Sequence, residues 1–186
     1  MSTPQFRPTK ADLAAAVHRT VPDLIAPGLD VLFCGINPGL YTAATGHHFG
    51  RPGNRFWPAL HQSGFTPRLF APWEEHELLP LGIGITNMVT RTTATAAELS
   101  PAEYVEGGAR LTRVVAAHAS RVVAFLGIGA YRAAFARKKA VLGLQAETIG
   151  SSALWVLPSP SGLNANHQLG DLVALFRQLR EWVQRR

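Results

Sequence analysis

The chain has 186 residues, enough for one domain with a sizeable core and no covalent staples. Hydrophobic residues make up 47% and charged residues 16%, which excludes a disordered chain, and every apolar run is broken before the roughly 18 residues a membrane helix needs. Eighteen Lys and Arg against 12 Asp and Glu give +6, a balance that favours a phosphate-rich partner without separating DNA from RNA or another anionic surface.

The first residues, Met1 to Pro8, hold no apolar signal core, which argues against secretion. Thr9 can cap a helix over about 10–19, with Leu13, Ala16 and Val17 on one face. Pro22 and the pair Pro27-Gly28 then break the chain. The run 31–36 is short and continuously apolar, the pattern of a parallel strand covered on both faces. It opens into a long polar stretch through Gly46-His47-His48-Phe49. Asn54 can cap a second helix over 55–62, and a glycine-weakened strand over 81–87 ends in another polar loop. Ser100-Pro101-Ala102-Glu103 carries the cap, the first-position proline and the acidic third residue of a helix start, and that helix reaches about residue 118. A third strand over 121–126, a helix over 127–135, a fourth strand over 153–157 and a last helix over 167–186 complete the pattern. Strands alternating with helices predict an α/β fold of three layers, αβα, around a central mainly parallel sheet. The whole of 1–186 reads as one domain, with 1–25 as an N-terminal extension packing on it.

All the polar, non-periodic loops follow strands, so the site is expected at the carboxyl edge of the sheet. Cys34, the sole cysteine, can form neither an internal disulfide nor a multi-cysteine metal site, and its place in a strand marks it as a small apolar core residue rather than a nucleophile. In the first loop, Pro38 biases Asn37 to an extended conformation and Gly39 permits a sharp turn. An asparagine held this way can orient a water or read the edge of a base. Phe49 sits in a stretch with no helical or strand period, either as a packing residue or as a stacking platform. Adjacent His47 and His48 make poor partners for one metal. The last loop, Ser159 to Asn164, offers hydroxyls and backbone amides suited to phosphate, with Leu163 at its tip as a stray exposed leucine or a wedge for a base stack. Neither a Gly-x-Ser-x-Gly elbow nor a complete phosphate-binding glycine fingerprint is present.

Taken together, Gly35-Ile36-Asn37-Pro38-Gly39, Thr45-Gly46 with Phe49, Asn54-Arg55-Phe56-Trp57 and Pro160-Ser161-Gly162-Leu163 resemble the mismatch-specific uracil-DNA glycosylases and their thymine-DNA glycosylase relatives. The segment Gly84 to Val89 followed by Arg91-Thr92-Thr93 looks closer to the thymine-DNA branch. The resemblance covers about residue 30 to the end. It implies a uracil-DNA glycosylase-like fold, an enzyme of base-excision repair that flips a base out of duplex DNA and hydrolyses its N-glycosidic bond, and no metal or other cofactor. The implied partner is double-stranded DNA carrying mismatched or damaged bases, with no membrane role. The implied state is a monomer acting in the cytoplasm of a bacterium or the nucleus of a eukaryote.

Carried over by position, the resemblance makes Asn37 the residue that positions the attacking water. It makes Phe49 the stacking partner of the flipped base, and places Ile36, Gly39 and Asn87 around that base. Leu163 becomes the wedge, and Ser161, Gly162 and Asn164 the contacts to the orphan base. Ser159 and Ala165 stand where related bacterial enzymes carry Asn and Arg, leaving Asn164, Asn166 or His167 for those contacts. Arg51, Arg55 and Arg91 are candidate phosphate contacts. Glu98 is the acidic residue nearest the site in sequence, as an auxiliary base or a first-turn helix charge. A neutral asparagine can orient water but cannot take its proton, so turnover is expected to be slow beside uracil glycosylases with aspartate at this position. A non-catalytic binder of mismatched DNA and an unrelated nucleotide hydrolase are the competing readings.

Overall fold

A computed structural model describes residues 6–186. Five strands form one sheet in the order β2-β1-β3-β5-β4: β1 (Val31–Gly35), β2 (Ile83–Asn87), β3 (Val122–Leu126), β4 (Gly143–Ile149) and β5 (Ser152–Leu157). The first four in that order run parallel, and β4 pairs antiparallel at the edge. Helices α3 (Phe56–Gln62) and α6 (Leu169–Gln184) pack together on one face, and α4 (Pro101–His118) and α5 (Ile128–Phe135) on the other. This is the expected αβα arrangement.

The strands form where the sequence is apolar on both faces. Alternate residues of β1 enter different cores: Val31 and Phe33 join Phe56, Leu60 and Phe176, while Leu32 and Cys34 join Leu111, Phe125 and Tyr131. Phe33 is the aromatic centre of its core. Its ring lies 5.6 Å from Phe176 in a stacked geometry and meets Phe56 edge-on at 5.4 Å. Such pairs add to plain area burial. Cys34 is fully buried, and burial pushes its thiol up, so it stays protonated and inert.

Several elements differ from the sequence expectation. Thr9 caps the helix as expected, within a capping box that Asp12 completes, but α1 covers only Lys10–Ala15. Ala16 is buried with Val21 against Ala43 and Ala44, while Val17 stays exposed. The stretch after Gly39 is not all loop, for α2 (Leu40–Thr45) lies between an N-capping Gly39 and a left-handed Gly46. A 3-10 segment, Pro72–Leu81, takes up Leu81, so β2 starts at Ile83, after Gly82 turns the chain at φ 73°. The edge strand β4 was not expected. Its burial alternates as befits an edge strand, too weakly to stand out as an apolar run. The last helix is α6, two residues shorter at each end than 167–186.

These placements set the carboxyl ends of β1, β2, β3 and β5 side by side, so the loops after Gly35, Asn87, Leu126 and Leu157 share one edge. Phe33→Ala should lower stability by about 3–5 kcal/mol, because it empties the meeting point of three aromatic rings. A urea melt showing less than about 1 kcal/mol of loss would contradict the packing described.

Candidate active site

The centre of the site is where β1 leaves the sheet. Gly35 pairs with Asn87 at the last register position of β1 and β2. A Cβ at Gly35 would sit 2.6 Å from Asn87 Oδ1 and 3.4 Å from the Phe49 ring. Only a residue without a side chain lets these two groups converge. Asn87 is buried, and its backbone carbonyl accepts from Arg110 at 3.0 Å. Arg110 also donates to Asp23, whose other oxygen accepts from the Thr86 hydroxyl. The end of β2 is therefore held from behind by a hydrogen-bonded ion pair.

Asn37 lies two residues beyond Gly35. Its amide nitrogen reaches the Arg91 carbonyl at 2.9 Å, the Thr93 hydroxyl at 2.7 Å and the Pro38 carbonyl at 3.3 Å. Carbonyl oxygens only accept, so these partners fix the amide with nitrogen toward the 91–95 loop and leave Oδ1 as an acceptor without a partner among the described residues. The Thr93 hydroxyl in turn donates to Thr95 O at 2.8 Å, which orients it to accept from Asn37. The Thr93 backbone N–H donates to Pro38 O, so the two loops are zipped together.

Phe49 sits at φ 53°, a conformation rare for any residue but glycine. Its ring stacks on Phe56 at 4.1 Å, which leaves it half-buried at the cavity wall. His47 and His48 turn to different partners: His47 to Glu75, and the His48 ring to the Pro22 carbonyl.

The last loop is closed on itself. Asn164 donates to Ser159 O and accepts from Asn166 N, and the Ser161 hydroxyl accepts from Leu163 N. Gly162 packs directly on the 51–54 turn, and a Cβ there would stand 2.8 Å from Gly53 O. The Arg55 guanidinium ties this loop to the start of α3. It donates to His167 O, to Asn164 O at 2.9 Å and to Ser161 O. Leu163 projects beyond this scaffold with 68% of its surface exposed.

Arg55 and Arg91 are therefore held in other ways than as phosphate contacts, while Glu98 takes the first-turn position that was its second reading. Arg55 is turned inward onto carbonyls instead of outward toward phosphate. Arg91 grips Glu103 through two nitrogens, at 2.6 and 3.1 Å, and also donates to Glu98 O. The Glu98 carboxylate accepts from Thr95 N at 2.9 Å as the cap of a short turn, and the residue is exposed. Arg51 remains an exposed cation at the rim of the cavity. The Arg91 guanidinium, and secondly the Ser100 N–H, hold the Glu103 carboxyl down to about 2.

These loops enclose a cleft of about 370 Å³ that carries Asn37, Phe49, Asn87 and Thr93 on its walls and Leu163 at its lip. That volume lies within the range of small-molecule sites. A family model described as the uracil DNA glycosylase superfamily matches residues 22–184. The chain belongs to the uracil DNA glycosylase superfamily. Members of this superfamily are DNA glycosylases, hydrolases that act on DNA. Among the described residues, no helix is long and apolar enough to cross a membrane.

Sequence reasoning quoted Thr93 within a motif but gave it no role, and it did not single out Gly35 as a contact point or the Asp23–Arg110 pair. Thr93 lies 56 positions from Asn37, and no local signal marks such a partner. The glycine at the end of an apolar run was the one available hint of a close approach.

Two outcomes follow from this geometry. Thr93→Val should slow any reaction that needs an oriented Asn37 by about fivefold, since it removes a hydrogen bond of roughly 1 kcal/mol, and Thr93→Ser should restore it. Equal rates for the Val and Ser variants would dismiss the anchor. Glu103 titrates in the folded protein below its ordinary value of 4.5. Its stabilising contribution is therefore complete above about 4.5 and lost as pH falls toward about 2. Glu103→Gln should lower the melting temperature at pH 7 and flatten its decline across that acid interval. An unaltered acid profile would show that the pair contributes nothing.

Proposed function

We propose that the protein is a mismatch-specific, monofunctional DNA glycosylase. It takes a flipped uracil, or a related mispaired or damaged base, into the cleft and hydrolyses the N-glycosidic bond. The observation that carries this reading is the amide of Asn37, pinned through its nitrogen at the mouth of β1 with Oδ1 unpartnered among the described residues, in the same cleft as the Phe49 ring. Asn37 Oδ1 accepts from a water and aims its lone pair at C1′ of the sugar. The bond to the base breaks as the water oxygen bonds C1′, the electron pair leaves with the base, and the water proton passes to solvent or to the departing base. Holding the water in place is worth far more than the weak basicity of an amide.

The flipped base stacks against Phe49, and the Asn87 amide, with backbone groups of Ile36 and Gly39, borders its polar edge. Stacking and edge contacts of this kind are how flipped bases are read. Leu163 enters the gap left in the duplex, and the backbone of Ser161, Gly162 and Asn164 faces the orphan base. Arg51 contacts phosphate. Glu98, Arg55 and Arg91 take no direct part. The chain acts as a single-domain monomer on double-stranded DNA, in the cytoplasm of a bacterium or the nucleus of a eukaryote.

The test uses labelled duplexes with U opposite G, U opposite A and T opposite G, and single-stranded U, with strand cleavage by alkali as the readout. Release from G:U in excess of U:A, without added metal, is expected. Asn37→Ala should lower the single-turnover rate by about 100-fold, the scale on which misplaced reactants lose rate. Leu163→Ala should weaken release by roughly tenfold, because the wedge offsets an unstacking cost of a few kcal/mol. Tight G:U binding with no release would instead identify a non-catalytic binder.

A further inference from the structure

Behind the cleft lies a buried carboxylate that the reaction does not use. Glu75, on the 3-10 segment Pro72–Leu81, has 8% of its side chain exposed. Its Oε2 accepts from the backbone N–H of His48 at 2.9 Å, and its Oε1 lies 3.3 Å from Nδ1 of His47. The two oxygens thus grip two successive residues, 27 and 28 positions away, directly before Phe49.

His48 is held at both backbone groups and at one ring nitrogen. Its N–H goes to Glu75, its carbonyl accepts from the Trp57 indole at 3.2 Å, and its ring meets Pro22 O at 2.9 Å. The next residue, Phe49, then enters the left-handed region at φ 53°. Such a conformation is strained in a non-glycine residue and persists only where its surroundings over-determine it. A buried carboxylate is a costly way to fill space, and an apolar side chain of similar size stabilises a core as well or better. Pro72–Leu81 otherwise buries Leu78, which already serves the core. What Glu75 adds is geometry.

We propose that Glu75 is a positioning residue for substrate recognition. It fixes the backbone N–H of His48 and the ring of His47 so that Phe49 presents its face to the flipped base. The inference rests on the stacking role given to Phe49 above. It assigns to a segment outside the motifs the task of setting the platform's angle. The other side of the ring is already occupied by Phe56 at 4.1 Å. Any rotation of the 47–49 backbone therefore changes the face offered to a base, while the core beneath it stays packed.

A double-mutant cycle decides the matter, with single-turnover base release from G:U as the readout. Glu75→Ala should lower the rate by about tenfold, the effect of losing a charged hydrogen bond of roughly 1.5 kcal/mol. Glu75→Gln, which keeps an oxygen for the His48 N–H, should recover most of it. In the Phe49→Ala background, Glu75→Ala should cost less than about twofold more, because the residue it acts through is gone.

The Trp57 indole N–H resonance, assigned by Trp57→Phe, gives a readout free of substrate. It should move in Glu75→Ala while the signals of the other tryptophans stay in place. Should the alanine variant not fold, Glu75→Asp, a methylene too short to reach both residues, takes its place. A full tenfold loss retained in the Phe49→Ala background overturns the proposal, as does an unchanged rate in Glu75→Ala. Absence of base release by the unsubstituted protein would overturn the glycosylase reading instead, and the indole shift would still report whether Glu75 sets the loop.

Discussion

Everything at the site depends on the close approach permitted at Gly35. Parallel strands deliver their loops to one edge, but they do not by themselves bring side chains of different strands into contact. Here the end of β1 carries no side chain, and the Asn87 amide and the Phe49 ring close over it. The backbone continues the ladder past this point, with Met88 N donating to Gly35 O and Val89 N to Ile36 O. The strand pair therefore stays zipped where the cleft begins, and Asn37 emerges from a rigid base.

Around that point the polar chemistry is mostly internal. Four arginines near the site or behind it serve the scaffold or could meet DNA, and the structure divides them. Arg55 fastens the last loop, Arg91 fastens the second loop to α4, and Arg110 fastens the end of β2. Arg51 alone of these is exposed without such a task among the described hydrogen bonds. A guanidinium forked onto several carbonyls is well suited to this work, because its five donors satisfy groups that an irregular loop would otherwise leave unpaired. The formal charge of +6 thus overstates how much of the positive charge near the cleft is free to meet an anion.

The fold was largely legible from the sequence because a strand buried on both faces has to be a continuous apolar run. β1, β3 and β5 all have that form, and the helix starts at Thr9 and Ser100 carry capping boxes that the structure contains. α2 was not legible, since six residues between two glycines are too few to display a helical period. The segment Pro72–Leu81 carries an internal proline and little amphipathic pattern, and β4 draws its order from pairing with β5 rather than from its own composition. At the site, the sequence identified residues by type and order. It could not reveal which charged groups were already engaged. The partners of Arg55 lie as far as 112 positions away, and Arg91 finds Glu103 only because a helix begins there. Such pairings are made by the tertiary structure and leave no local trace.

The loop that carries Leu163 is bonded to itself and to Arg55 in the free protein. Much of its backbone entropy is surrendered when the chain folds, so less of it remains to be lost on contact with a partner. An exposed leucine on a pre-set support acts as a fixed gauge. On the proposed reading, the protein does not shape itself around a lesion. The duplex must do the deforming, and pairs that open most readily are the ones that fit.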